Sequence, residues 1–571
     1  MQHARMRALP AQALDVRSGP ANADAGRQGI AGMLAGLDAE QAAAATLPDG
    51  PAQIIAPAGS GKTTTLIARL GYLLTRGILP ERMAVLTFNR DAAEELRGRI
   101  AGRLAPFVPA ATAIEVRTLH ALARQVLLDA GALGELVADR EPLLRAARRR
   151  CLVGRSPDAP PLPDVASLDT WLSAWKVEGR PPPPEAQPVL AAYDALLAAR
   201  RANDFDDLVV GAVDRLASDP RLRMRWQARF THVCVDEFQD VDAAQLRLVR
   251  LLAEPERNLF VVGDDDQTIY AWRLADVRRI LKFTATYPDA NRVLLATNYR
   301  CPPAVVASSA RLIGVNRERF SKRIQPDARA RDGTGRAPSL VAFPTIVGDW
   351  PDRLVSFAAA TAVDGRRACL LARTRAELAP LTLALVRAGI PHWCSVPSPL
   401  DAEPAQALVD ELRRMPGDRP PFQSLLDARA ARGWRRGDPR DALAEDDLAA
   451  LDAMTGWSAG FRSVETFLGA LDGARSRLEA LRAPDAPVEL VTVHAAKGRE
   501  WATVIVIGFE EERFPNRRAL LGAADPARAL EEERRLAYVA MTRAAQQLVL
   551  AFDPSRPSRF LADAGLSAPQ S

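Results

Sequence analysis

The stretch IIAPAGSGKTTTL, Ile54 to Leu66, constrains the fold more than any other part of the chain. An apolar strand runs into a glycine-broken turn and then a Lys-Thr pair that opens a helix, the layout of a phosphate-binding loop. Such a loop needs a buried strand that delivers the turn to a helix N-terminus, where unpaired amides face an anion. In that layout Gly59 and Gly61 let the backbone fold closely round phosphates. Lys62 would meet the β and γ oxygens, and the Thr63 hydroxyl would reach Mg2+. Ala56 stands where the strict pattern has its first glycine.

The other apolar runs suit a sheet that can carry this turn. Residues 53–56, 83–88, 232–238, 258–264 and 292–297 are β-rich, apolar on both faces and separated by helical stretches. That alternation predicts an α/β fold with a buried parallel sheet and helices on each side. A second set, 368–373, 488–494, 502–509 and 547–552, predicts a second core of the same kind. Each core is interrupted: the first by a helical, arginine-rich stretch with proline clusters before residue 232, too long for a simple loop, and the second by a helical stretch over about 399–486 rich in Ala, Leu, Arg and Asp.

At 571 residues the chain is too long for one core. It holds no apolar run of about eighteen residues, so no membrane span is expected. The opening thirty residues lack the apolar stretch of a secretory signal, so they read as a loose extension and the chain as cytoplasmic. Five cysteines without a CxxC pair argue against zinc, an iron-sulfur cluster or a disulfide framework. Lys and Arg number 75 against 70 Asp and Glu, which permits nucleic-acid binding without establishing it, because the charge lining a groove decides.

A hydrolytic nucleotide site also needs carboxylates at the end of a neighbouring strand. VCVDEFQD supplies Asp236, placed to hold Mg2+, and Glu237, placed to activate the attacking water.

With these two motifs in hand, the chain resembles a superfamily 1 helicase of the UvrD/Rep/PcrA group, in order from about Leu37 to Phe552. LDAEQ is similar to the adenine-reading Q motif, and APAGSGKT has the family's AxxGxGKT form. LTFNRDAAEELRGRI, TLHALA, DFDDLV, VDEFQD, VVGDDDQTIYAWR, NYRCP, VTVHAAKGREW and EEERRLAYVAMTRA resemble the remaining signatures. The resemblance implies two RecA-like motor domains, 1A over 31–105 and 206–297 and 2A over 298–400 and 487–560. It implies a helical insertion 1B over 106–205 and a reduced, divergent 2B-like insertion over 401–486, between an extension (1–30) and a tail (561–571).

It also implies roles. Gln41 would read adenine, and Tyr299 would stack on it. Ala58, Gly59, Ser60 and Gly61 would cradle the phosphates with Lys62, Thr63 and Thr64, the last standing where relatives often carry arginine. Gln267 would sense the γ-phosphate, Arg300 and Arg543 would reach it as arginine fingers, and Glu500 would lie near the ribose. Permanent charge and a fixed fork of donors suit arginine to phosphoryl transfer. ATP and Mg2+ are the implied cofactors, with the nucleotide shared by the two cores.

For DNA, the resemblance implies base contacts from Phe88, Tyr270 and Trp272 and polar contacts from Thr87, Asn89, Arg90, His120 and His494. Gln267 and the last two aromatics lie a few residues apart, so the ATP cleft and the grip on DNA should move together. The implied partners are single-stranded DNA and single-strand/duplex junctions, with repair or nuclease proteins beside them, and the implied activity is 3′-to-5′ unwinding in repair or recombination. The short 2B region leaves open a translocase of weak unwinding that strips proteins or drives a nuclease, phage defence included. No nuclease segment is expected after the last motif. An inactive DNA-binding scaffold would predict erosion at catalytic positions, and those positions are intact.

Overall fold

In the computed structural model the apolar runs become two parallel six-stranded sheets, one in each of two compact units. The described residues are 20–153, 155–156, 159–328, 337–343, 349–362, 366–434, 443 and 445–567. Unit 1 comprises residues 1–296 and 318–323, and unit 2 the rest.

The first sheet runs in the order Glu115–Thr118, Met83–Thr87, His232–Val235, Leu259–Gly263, Ala52–Ile55, Asn291–Leu294, all parallel. Its four central strands are buried at every position, as continuous apolar runs require. The two edge strands keep polar residues in contact with solvent. Side chains from the two faces form separate cores, one around Leu66, Leu70 and Val85, the other around Leu122, Leu248 and Val261.

Two expected boundaries move. Residues 20–35 form a helix whose Ile30 is fully buried in the first of those cores, so the loose extension cannot reach residue 30. Residues 1–19 lie outside the described ones. The helical insertion cannot begin at 106, because Glu115–Thr118 pairs with Met83–Thr87 and the next helix, Leu119–Asp129, packs in the main core. A core of its own begins only further on, with Leu143, Leu144, Leu168, Leu190 and Tyr193 on helices Glu141–Leu152, Val165–Glu178 and Gln187–Arg200.

The second sheet has the order Ser339–Ala342, Ala544–Phe552, Trp501–Val506, Ala368–Ala372, Val488–Thr492, His392–Cys394, again all parallel. Four helices, Glu403–Leu412, Pro421–Arg432, Glu445–Ser458 and Val464–Leu481, pack round Leu408, Leu425, Leu451 and Phe467 and onto Leu383 and Val386. Cys234, Cys301, Cys369 and Cys394 are buried, and burial pushes Cys234 up to about 12, the behaviour of an inert core thiol.

Candidate nucleotide and nucleic-acid sites

In an open parallel sheet, ligands bind beyond the carboxyl ends of the strands. Unit 1 carries its candidate residues there. Ile55 leads into residues 56–61, Val235 into Asp236 and Glu237, Gly263 into Asp264–Gln267, Thr87 into Phe88, and Thr118 into His120.

The loop 56–61 turns through left-handed backbone at Gly59 (φ 71°) and Gly61 (φ 81°) before the helix Lys62–Thr75 begins. A side chain at Gly61 would also strike Gln41, whose Nε2 would sit 2.5 Å from the added carbon. Gln41 is built into its place. It closes a capping box with Asp38 on the helix Ala39–Ala45 and donates from Nε2 to the Ser60 carbonyl at 3.0 Å. Lys62 Nζ donates to the Ala56 carbonyl at 3.3 Å and lies 3.9 Å from Glu237 Oε1. Thr63 and Thr64 are half-buried in the first turn, whereas Ala58 and Ser60 are buried.

Two features fit this loop to a magnesium-bound phosphate group. Ser60 Oγ is buried with no hydrogen-bond partner among the described residues, and Asp236 lies buried against a second acid. Burial, with the Glu237 carboxylate beside it, pushes Asp236 up to about 7 against the pull of Lys62. A divalent cation would relieve that pair. Glu237 itself sits in left-handed backbone (φ 50°), accepts a hydrogen bond from Gln239 Nε2 and donates its own N–H to Asp236 Oδ1 at 3.0 Å. Strain of this kind persists only where the surroundings impose it.

Gln239 joins two strand ends, since its Oε1 accepts from Asp264 N–H at 3.0 Å. Asp264 Oδ2 in turn accepts from Gln267 Nε2 at 2.7 Å. Burial would raise the Asp264 carboxyl, but the Lys322 ammonium overcomes it and holds the group below its ordinary range. Asp265, equally buried and flanked by acids, is pushed up to about 6.

Aromatic side chains line the same edge of unit 1. Phe88 and Tyr270 stack, and Tyr270 meets Trp272 edge-on at 6.3 Å. Trp272 is 62% exposed, with the Arg273 guanidinium 4.7 Å over its ring. Phe205, 45% exposed, stands edge-on to His120 at 6.0 Å and was absent from the expected set. Its signal was available in DFDDLV, where an aromatic follows the cap residue Asp204 at a helix start and so cannot be in a strand core. Burial lowers the His120 pKa and so favours the neutral ring. Thr87 and Asn89 hold the backbone here: Thr87 Oγ1 donates to the Asn89 carbonyl, and Asn89 caps the helix Arg90–Arg103. Arg90 is exposed beside them.

Unit 2 brings Arg300, Glu500 and Arg543 together at the amino ends of its strands, where Trp501 and Ala544 are register partners. Arg300 Nε donates to Glu500 Oε2 at 2.5 Å and its Nη1 to the Thr542 carbonyl at 3.3 Å. Arg543 is buried and donates to the carbonyls of Val539 and Arg499. Asn298 Oδ1 fixes the turn by accepting from the N–H groups of Arg300 and Cys301, which leaves the intervening Tyr299 ring 37% exposed. His494 is elsewhere, two residues past the carboxyl end of Val488–Thr492.

Residues 37–149 and 167–288 match the UvrD/REP helicase N-terminal domain, and residues 469–554 match the UvrD-like helicase C-terminal domain. The chain belongs to the UvrD-type superfamily 1 helicases. Its two parallel sheets are accordingly RecA-like domains of that family. It is 28% identical to the ATP-dependent DNA helicase PcrA of Leuconostoc citreum, over 92% of this chain and 84% of that one. It is 29% identical to the ATP-dependent DNA helicase UvrD2 of Mycobacterium tuberculosis, over 93% and 81%. Among the described residues no helix is long and apolar enough to cross a membrane.

Proposed function

We propose that this protein hydrolyses ATP to move 3′-to-5′ along single-stranded DNA and to unwind duplex ahead of it. The observation that carries the reading is the meeting of Lys62, Asp236, Glu237 and Gln267 with an exposed aromatic strip at the carboxyl edge of a single sheet. Its relatives named as ATP-dependent DNA helicases support it.

In this reading the loop amides and Lys62 bind the phosphates, Gln41 and Tyr299 hold the base, and Glu500 lies by the ribose. Glu237 takes the proton of the attacking water, a step that typically contributes about 10²–10⁴-fold. Thr63 and Asp236 would hold Mg2+, which supplies neutralisation of phosphate charge. Arg300 and Arg543 act on the γ-phosphate as permanent cations. Phe88, Tyr270 and Trp272 offer faces on which bases stack, and Thr87, Asn89, Arg90, His120 and His494 add polar contacts.

The decisive experiment is ATP turnover by the full chain with and without oligothymidine, against Lys62→Ala and Glu237→Gln. Turnover that DNA does not stimulate would overturn the reading, and strand displacement on 3′- and 5′-tailed duplexes decides polarity. A second reading, a translocase of weak unwinding, draws on the small four-helix insertion 403–481. The alignment with the Leuconostoc citreum PcrA spans 647 positions against 571 residues here, so that relative carries stretches with no counterpart in this chain. Protein displacement without strand displacement would favour it.

A further inference from the structure

After Ala296 the chain passes to unit 2 as Thr297–Arg317, returns to unit 1 for Glu318–Arg323 alone, and leaves again at Ile324. The returning segment holds the two cations that the loop Asp264–Gln267 requires. Lys322 Nζ lies 2.6 Å from Asp264 Oδ1 and 3.0 Å from Asp266 Oδ2 and hydrogen-bonds Asp265 Oδ1, with none of these four side chains exposed. Arg319 grips Asp266 with two parallel bonds of 2.9 and 2.7 Å, and Phe320 N–H donates to Asp265 Oδ2 at 2.7 Å. The Phe320 ring is covered by the Arg292 guanidinium at 4.7 Å.

Three consecutive buried carboxylates repel one another and have lost their hydration, so the loop keeps this form only while cations remain among them. Their oxygens lie close enough to hold a metal ion, but the lysine ammonium already occupies that position. Asp264 is shared: one oxygen takes Lys322 and the other takes Gln267. Gln267 therefore points where the strap sets it. The same loop continues into Tyr270 and Trp272.

We propose that Glu318–Arg323 is a coupling strap, in which Lys322 and Arg319 are positioning residues that set Gln267 and the Tyr270–Trp272 strip together. Its two flanks belong to unit 2, so a pull on either flank reaches the nucleotide sensor and the aromatic strip at once. The inference rests on the helicase reading for its purpose.

The test uses the full chain. Lys322→Met leaves Asp264 and Asp265 without their cation and is a poor choice, so Arg319→Gln is the primary variant, with Arg319→Lys as the conservative control. A Lys322→Gln, Asp265→Asn pair, which removes one charge of each sign, repeats the test. Backbone hydrogen exchange over residues 264–272 should quicken at least tenfold in Arg319→Gln, while residues 57–61 stay within twofold. Oligothymidine-stimulated kcat should fall at least tenfold with less than a threefold change in KM for ATP, and Arg319→Lys should recover most of the loss.

Unchanged exchange over 264–272 overturns the proposal. So does a DNA-stimulated kcat within twofold of the original, or exchange that rises throughout the chain, which marks a merely structural role. If the unmodified protein shows no DNA stimulation, the helicase reading fails by itself. The exchange pattern then still decides whether the strap holds the loop.

Discussion

Phe88 and Tyr270 stack with ring centroids 5.0 Å apart and planes 21° from parallel, although they follow different strands of the sheet. Each ring already spends one face on the other. The most exposed aromatic rings at this edge are Trp272 and Phe205, the latter beside His120. Stacking on one base is worth about 1–3 kcal/mol by alanine substitution. Trp272→Ala and Phe205→Ala should each weaken oligothymidine binding about 5- to 150-fold at constant salt, read by fluorescence anisotropy, with nucleotide affinity unchanged.

Glu237 lies within reach of Lys62 and is hydrogen-bonded by Gln239, which orients a base without neutralising it. Glu237→Gln should retain ATP binding and lose about 10²–10⁴ of turnover, whereas Lys62→Ala should lose nucleotide affinity as well. Equilibrium binding of a labelled nucleotide beside steady-state turnover separates the two.

Asp236 gives a pH dependence whose sign is opposite to that of a salt-bridged acid. Its pKa of about 7 in the folded protein exceeds the ordinary 3.8, so the folded state holds the proton more tightly than the unfolded one. The stability this contributes is complete below about pH 4 and is lost as pH rises through about 7. Asp236→Asn should therefore raise the melting temperature of the nucleotide-free protein at pH 8 by about 2 °C or more and remove the decline in stability that Asp236 contributes between about pH 4 and 7. The metal requires the charged form, so Mg2+ affinity should fall towards tenfold per pH unit below about 7, measured by titration calorimetry.

Lys176 lies 2.9 Å from Asp204 and 2.8 Å from Asp207, the two acids that close the capping box at the start of the helix Phe205–Ser218. The Tyr193 hydroxyl donates to the same Asp204 at 2.9 Å. Lys176→Met should destabilise unit 1 by about 3 kcal/mol in urea unfolding, because it removes the nearest cation from the buried Asp204, whose next one, Arg140, lies 3.8 Å away. The helix start that presents Phe205 should loosen with it, so DNA affinity should fall too.

Where the residues of a motif are consecutive, the sequence was enough. The strand, glycine turn and helix of Ala52–Thr75 follow one another along the chain, and each step rests on local rules of burial, φ and capping. The strands Ser339–Ala342 and His392–Cys394 were illegible, being too short to show a period and edges of their sheet. The helix Pro20–Ala35 was missed because its Ala- and Gly-rich sequence has no clear apolar stripe, and only packing buries Ile30.

The amino-acid sequence by itself determined that a glycine-broken loop ends one buried strand, that acids end a second strand, and that two α/β cores exist. Only the tertiary structure decided that Lys322 and Arg319 pair with Asp264–Asp266, that Gln41 bridges to Ser60, that Glu500 pairs with Arg300, and which aromatic rings stay exposed. The reason is distance along the chain. A motif is read from neighbours in sequence, whereas the order of strands in a sheet decides which remote side chains lose their water and must find partners in one another.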